Sequence, residues 1–189
     1  MQKLFINFDI ESDGPSPAEN SMLSIGMIGN TIDGVEVFRY QANITKIEGK
    51  KQNIDTMKFW SQYLDVYKFI TTDTLSPEKV MKDISEIILK YNEYKLIWVA
   101  DPAVFDWSFL KYYYEKYKMV GAPNIGYSAR CLGTLFEAYC DINNISETDA
   151  DILYDDWKDG CKATHNPLDD SICQKNVFFN LRRMMKITC

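Results

Sequence analysis

The chain has 189 residues, of which 46% are hydrophobic and 14% aromatic, and its 21 Lys and Arg against 27 Asp and Glu leave a formal net charge of −6. That length suits one domain with a full core, read here as residues 1–189, and the acidic balance argues against a protein whose whole surface grips duplex phosphates. No low-complexity run, internal repeat or Pro/Gly/Ser linker separates modules. Met1-Gln2-Lys3 leads into a strand-like segment without the apolar core of a signal peptide, and no stretch reaches about 18 uninterrupted apolar residues. The expectation is a soluble, cytoplasmic protein with no membrane partner. Cys131, Cys140, Cys161, Cys173 and Cys189 include no Cys-x-x-Cys pair, so neither a disulfide framework nor a zinc ribbon is expected, and a reducing compartment fits.

Leu4 to Glu11 reads as a strand that sends Leu4, Ile6, Phe8 and Ile10 to one face and Phe5, Asn7, Asp9 and Glu11 to the other. Asp9 and Glu11 therefore stand side by side before the turn Ser12-Asp13-Gly14-Pro15. Alone, such a pair also reads as the start of a solvated turn; if desolvated, it calls for a positive partner, and a divalent ion is the simplest. Ser21–Gly29 and Val35–Ile44 read as two further strands joined by a turn over Asn30–Gly34, which makes a three-stranded antiparallel start. From Ile54 to Ile70 the spacing of Met57, Trp60, Leu64 and Tyr67 predicts one helix. Ser76-Pro77 caps and opens a second, with Val80, Ile84, Ile87 and Ile88 as its core stripe.

Lys95–Ala100 fits a buried strand, Ala103–Tyr117 a helix, Asn124–Arg130 a fifth strand and Leu132–Tyr139 a further helix. The acidic stretch Glu147–Gly160 has no clear period and reads as a short helix or loop. The last helix starts at Asn166-Pro167, with Asn166 as cap. The fold class is α/β, a mixed five-stranded sheet flanked by helices. Three basic clusters stand out: Lys46, Lys50 and Lys51; Lys111, Lys116 and Lys118; and Arg182, Arg183 and Lys186. Each reads better as a solvated face than as a nucleic-acid track.

The chain's one histidine is His165, and Asp170 follows it on the helical stripe of Cys173, Val177, Leu181 and Met184. Asp106 likewise shares a face with Phe109, Leu110, Tyr113 and Tyr117. Each taken singly could satisfy free amides at a helix start, with Asp101 as a decoy at the strand end. Together, Asp9, Glu11, Asp106 and Asp170 are four inward carboxylates for which the sequence offers no matching set of buried cations, and two divalent ions would balance them. Oxygen-only ligation suits Mg²⁺ or Mn²⁺.

The motifs Phe8-Asp9-Ile10-Glu11, Val104-Phe105-Asp106-Trp107-Ser108-Phe109-Leu110 and His165-Asn166-Pro167-Leu168-Asp169-Asp170 resemble, in order and spacing, those of the DEDDh 3′-to-5′ exonucleases. The likeness spans nearly the whole chain. It implies an RNase H-like fold, Asp9, Glu11, Asp106 and Asp170 as ligands of two Mg²⁺ or Mn²⁺ ions, His165 as general base, and hydrolysis of single-stranded RNA or DNA 3′ ends to nucleoside 5′-monophosphates. The segment Ile54–Gln62, with Phe59-Trp60, is similar to a subset of phage and bacterial exoribonucleases. The long Ser12–Asn20 loop departs from the short turn of many relatives. Gly14, Met22, Leu23 and Trp107 are the expected substrate contacts, although core packing suits Met22, Leu23 and Trp107 equally. A homodimer is compatible with the chain. Two other readings are a nuclease-like module that binds nucleic acid without turnover, and a metal-dependent hydrolase of mono- or dinucleotides.

Overall fold

A computed structural model of the protein describes residues 1–187. Its centre is β1 (Lys3–Ser12), whose side chains alternate as expected: Ile6, Phe8 and Ile10 enter one core cluster, and Phe5 enters another on the opposite face. β2 (Met22–Thr31) lies antiparallel to β1, setting Asp9 opposite Gly26 and Glu11 opposite Ser24. β3 (Glu36–Asn43) is antiparallel to β2 and forms one edge. On the other side β4 (Lys95–Ala100) runs parallel to β1, and β5 (Arg130–Cys131) parallel to β4, so the order is β3-β2-β1-β4-β5.

Helices cover both faces. α3 (Pro77–Lys90) and α4 (Ala103–Tyr117) bury Val80, Ile84, Phe109 and Leu110 against Ile6, Phe8 and Trp98. α5 (Leu132–Ile142), α6 (Glu147–Trp157) and α7 (Pro167–Met184) bury Phe136, Trp157, Val177 and Phe178 against Phe5 and Val99. The expected caps form: Ser76 Oγ accepts the Lys79 amide at 3.2 Å, and Asn166 Oδ1 accepts the Leu168 amide at 3.2 Å. Among the described residues no helix is long and apolar enough to cross a membrane.

Several elements differ from the sequence reading. The helix expected over Ile54–Ile70 is two, α1 (Ile54–Trp60) and α2 (Leu64–Ile70), because the chain turns at Ser61–Tyr63 to keep both Trp60 and Ile70 buried against Leu23. β5 is two residues long; Gly126, at φ 92°, lies in the irregular segment before it. Glu147–Trp157 is a regular helix opened by Ser146, whose hydroxyl accepts the Asp149 amide at 3.2 Å. The cysteine count also misled: Cys161 and Cys173 are joined in a disulfide, their Cα atoms 5.4 Å apart. The turn at Asp159 and Gly160, both at positive φ, folds the segment back onto α7 and brings the two sulfurs together. Cys189 lies outside the described residues.

One glycine decides how α7 sits. At Gly26, directly across from Asp9, an added Cβ would overlap the Pro167 carbonyl and the Leu168 amide, and the Ser171 hydroxyl donates to the Gly26 carbonyl at 3.0 Å. The start of α7 therefore rests on bare backbone beside the acids of β1. Gly26→Ala is expected to cost about 1–3 kcal/mol by overpacking and to displace the segment carrying His165 and Asp170. Thermal melting and hydrolysis measured on one sample check this: both should fall, and an unchanged melting temperature and rate would show that the helix does not depend on this packing.

Candidate active site

Three elements meet at the end of β1. Asp9 and Glu11 project from its α7 side, and Asp106, in the first turn of α4, is 2% exposed and accepts the Ile10 amide on Oδ1 at 3.0 Å. Asp170, in the first turn of α7, is also buried. One of its oxygens accepts the Thr164 amide at 2.8 Å and the other the His165 amide at 3.1 Å. These two bonds hold His165 at φ 59°, a left-handed conformation that costs a β-carbon residue about 1–3 kcal/mol and is stored only where surroundings impose it. Its ring is walled by Tyr63, Phe59 and Trp60, with centroids at 4.7, 5.0 and 6.3 Å, and its Nδ1 lies 3.9 Å from Glu11 Oε1. The four acids and His165 line one cleft of about 340 Å³.

The electrostatics are those of an uncompensated anion cluster. Burial, then the charges of Asp106, Glu11 and Asp170, hold the Asp9 carboxyl well above its usual range; burial, then Asp170 and Asp106, do the same to Glu11. Burial pushes Asp106 up to about 7 despite the opposing hydrogen bond from Ile10. Burial also raises Asp170, against the pull of the Thr164 amide and His165. Among the described residues no Lys or Arg forms an ion pair with any of these four carboxylates. Ligating atoms of Glu11, His165 and Asp170 lie within 4.8 Å of one another. A cluster of hard oxygen donors that no Lys or Arg of the described residues pairs with fits Mg²⁺ or Mn²⁺.

The structure thus brings Asp9, Glu11, Asp106, Asp170 and His165 together, but not all the residues expected to touch substrate. Met22 and Leu23 have no exposed surface, because β2 is covered on both faces, so neither can wedge a base as the chain stands. Trp107 is turned into the core against Phe8 and Trp98, its indole N–H donating to the Tyr127 carbonyl at 3.2 Å. Gly14 does face the site: with Glu11, Thr56, Phe59 and Phe105 it lines an adjoining hollow of about 190 Å³. Asp101 lines the main cleft but is spent on structure, accepting the Gly133 amide at 3.0 Å and the Tyr154 hydroxyl at 2.5 Å.

Gln174 went unnoticed in the sequence. It lies one turn beyond Asp170, is 8% exposed, and donates from Nε2 to Asp9 Oδ1 at 3.0 Å, which orients that carboxylate. Its own Oε1, like both side-chain polar atoms of Asn7 on the same face of β1, has no hydrogen-bond partner among the described residues. The i, i+4 spacing from Asp170 was the available signal.

The family model for the 3′-5′ exoribonuclease Rv2179c-like domain matches residues 3–181. No curated protein sequence matches the chain. Among solved structures, S. pombe Pop2p in its Mg²⁺- and Mn²⁺-bound form is similar at 12% identity and a TM-score of 0.63, covering 98% of this chain and 85% of that one. The nuclease domain of 3′hExo, a DEDDh family member bound to rAMP, gives 10% identity and a TM-score of 0.63 over 99% and 93% of the two chains. E. coli ExoI in complex with single-stranded DNA gives 12% identity and a TM-score of 0.70 over 100% of this chain and 42% of that one. The fold is the RNase H-like fold of these exonucleases. With its five-stranded mixed sheet, its cluster of acids and the match over nearly its full length, the chain belongs to the Rv2179c-like 3′-5′ exoribonuclease family and is a 3′-5′ exonuclease.

Proposed function

We propose that this chain removes nucleotides from the 3′ end of single-stranded RNA as nucleoside 5′-monophosphates, with Asp9, Glu11, Asp106 and Asp170 holding two Mg²⁺ or Mn²⁺ ions and His165 acting as general base. The observation that carries this reading is the convergence of four carboxylates, each held above its usual protonation range, on one cleft that also receives the strained His165. The metal-bound form of Pop2p and the nucleotide-bound form of 3′hExo support the same assignment by likeness, and the family's name favours RNA.

Two divalent ions held by Asp9, Glu11, Asp106 and Asp170 would supply an activated water and stabilise the leaving oxygen of the phosphodiester. The protein's own part follows from its geometry. Gln174 and the Ile10 amide fix the orientation of Asp9 and Asp106, while the Thr164 and His165 amides fix Asp170. His165, its side chain 35% exposed and its ring set against Phe59 and Tyr63, lies beside Glu11 and takes the proton of the attacking water. The hollow lined by Gly14, Phe59 and Phe105 adjoins the acids and has the size and aromatic edge to receive a terminal base.

A 5′-labelled single-stranded RNA and its 3′-blocked counterpart test the reaction. In Mn²⁺ the free strand should shorten to a ladder and release 5′-monophosphates, while the blocked strand persists. Loss of the 5′ label as a mononucleotide in the first turnover, or equal attack on the blocked strand, would contradict the proposed reaction.

A further inference from the structure

The segment Thr45–Asn53 folds across the Ser12–Asn20 loop and reaches α4. Lys50 Nζ donates to the Pro17 carbonyl and, at 3.0 Å, to the Asn20 carbonyl, and lies 4.4 Å from the centre of the Tyr112 ring. Lys116, from α4, comes over that same ring at 5.8 Å. Lys51 stands exposed on the rim, its amide donating to the Glu19 carbonyl at 3.0 Å and its carbonyl accepting from the Asn20 side chain at 2.7 Å. Lys46 bonds the Tyr67 hydroxyl at 2.9 Å. Two basic clusters far apart in sequence, each of which reads alone as a solvated face, become one surface.

Charge compensation separates this surface from its neighbours. Lys111, on the same helix as Lys116, and Lys118, just past its end, are both bonded to Glu115, at 2.7 and 2.5 Å. Among the described residues, Lys46, Lys50, Lys51 and Lys116 form no ion pair with a carboxylate. Asp13 acts on Lys46 and Lys50 only through space, its own carboxylate taken up by the Ser21 amide at 2.6 Å. Lys50 is held below its usual range first by burial and then by the charge of Lys116. In a chain of net charge −6, two ammonium groups sharing one ring without a carboxylate bonded to either form a local positive field that an anion would relieve. The surface is tied to the site through the Ser12–Asn20 loop: Lys50 pins that loop at Pro17 and Asn20, and its Gly14 and Pro15 line the hollow beside Glu11.

We propose that Lys46, Lys50, Lys51 and Lys116, with the half-buried rings of Tyr67 and Tyr112, form a track for the phosphates and bases of a single strand leading away from the cleft. This rests on the exonuclease reading above and adds where the rest of the strand lies. Ammonium groups neutralise phosphates without regard to sequence, and ring faces stack on any unpaired base, so the track takes single strands of any sequence.

The test is Lys51→Glu combined with Lys116→Glu, both exposed and neither part of the catalytic cluster; Lys50 is left in place because it pins the loop. Binding of a fluorescent RNA dodecanucleotide is followed by anisotropy in chelator, and turnover on the dodecanucleotide and on a dinucleotide is followed in Mn²⁺. The double variant should bind the dodecanucleotide about 10-fold more weakly, with a salt dependence shallower by about 0.7 for each phosphate that is no longer neutralised. Its melting temperature and dinucleotide turnover should match wild type. Unchanged affinity and salt slope, or an equal loss on the dinucleotide, would overturn the track. Binding lost in the variant of a wild type that hydrolyses neither substrate would support the track and overturn only the hydrolytic reading.

Discussion

Asp106→Asn is expected to raise the melting temperature of the metal-free protein at pH 8 while abolishing turnover. Asp106 is 2% exposed and pushed up to about 7, so the folded state binds its proton more tightly than the unfolded chain does. The sign follows directly: its contribution is fully present below the unfolded value near 4 and is lost as pH rises through about 7, where a buried charge must form. Asp9, Glu11 and Asp170 are raised in the same direction. Asn at position 106 keeps the acceptor for the Ile10 amide and carries no charge, so it removes that loss. The gain expected is on the order of 2–4 kcal/mol, which for a chain of this size is roughly 5–10 °C. The same change removes a proposed metal ligand, so the stabilisation by Mn²⁺ expected of wild type should shrink. Melting curves from pH 5 to 8, with chelator and with Mn²⁺, check both statements. A variant less stable than wild type at pH 8 without metal would show that the buried charge of Asp106 does not weaken the fold.

His165→Ala separates proton transfer from metal binding. Loss of a general base costs about 10²- to 10⁴-fold in rate, so turnover should fall by that order. Mn²⁺ should still raise the melting temperature, because the carboxylates of Asp9, Glu11, Asp106 and Asp170 remain. Removing the side chain also leaves the backbone amide of residue 165 free to donate to Asp170. Asp170→Ala, by contrast, should lose turnover and much of the metal response together, since it removes a proposed ligand and the acceptor for two loop amides. Rates and metal-dependent melting of the three proteins at one pH decide the matter. Full activity in His165→Ala would remove the ring from the reaction.

Much of this site was legible because its residues break local rules. Asp106 shares a helical face with Phe109, Leu110 and Tyr113, all buried, and Asp9 shares a strand face with Phe5; an acid in such company announces a partner. The start of α7 was legible in Asn166-Pro167, whose cap forms as expected. What failed needed tertiary information. A continuous helical period from Ile54 to Ile70 hid the turn at Ser61–Tyr63, since apolar spacing alone does not register a break that keeps Trp60 and Ile70 buried. Met22 and Leu23 looked available because nothing in an apolar strand says that both its faces are covered. The Cys161–Cys173 bond depends on a turn with two positive-φ residues, which cysteine spacing does not encode. The aromatic wall of Phe59, Trp60 and Tyr63 around His165 joins segments distant in the chain.

The most direct test of the two-ion site is a calorimetric titration of Mn²⁺ into the metal-free protein, run beside Asp170→Ala. Two divalent ions balance four carboxylates, and a ligand bound only by the native state stabilises it by about 2.7 kcal/mol at a hundredfold excess over its Kd. The account predicts two ions per chain in wild type and fewer in Asp170→Ala. Wild type that takes up no Mn²⁺, or a variant that binds the same number as tightly, would contradict it.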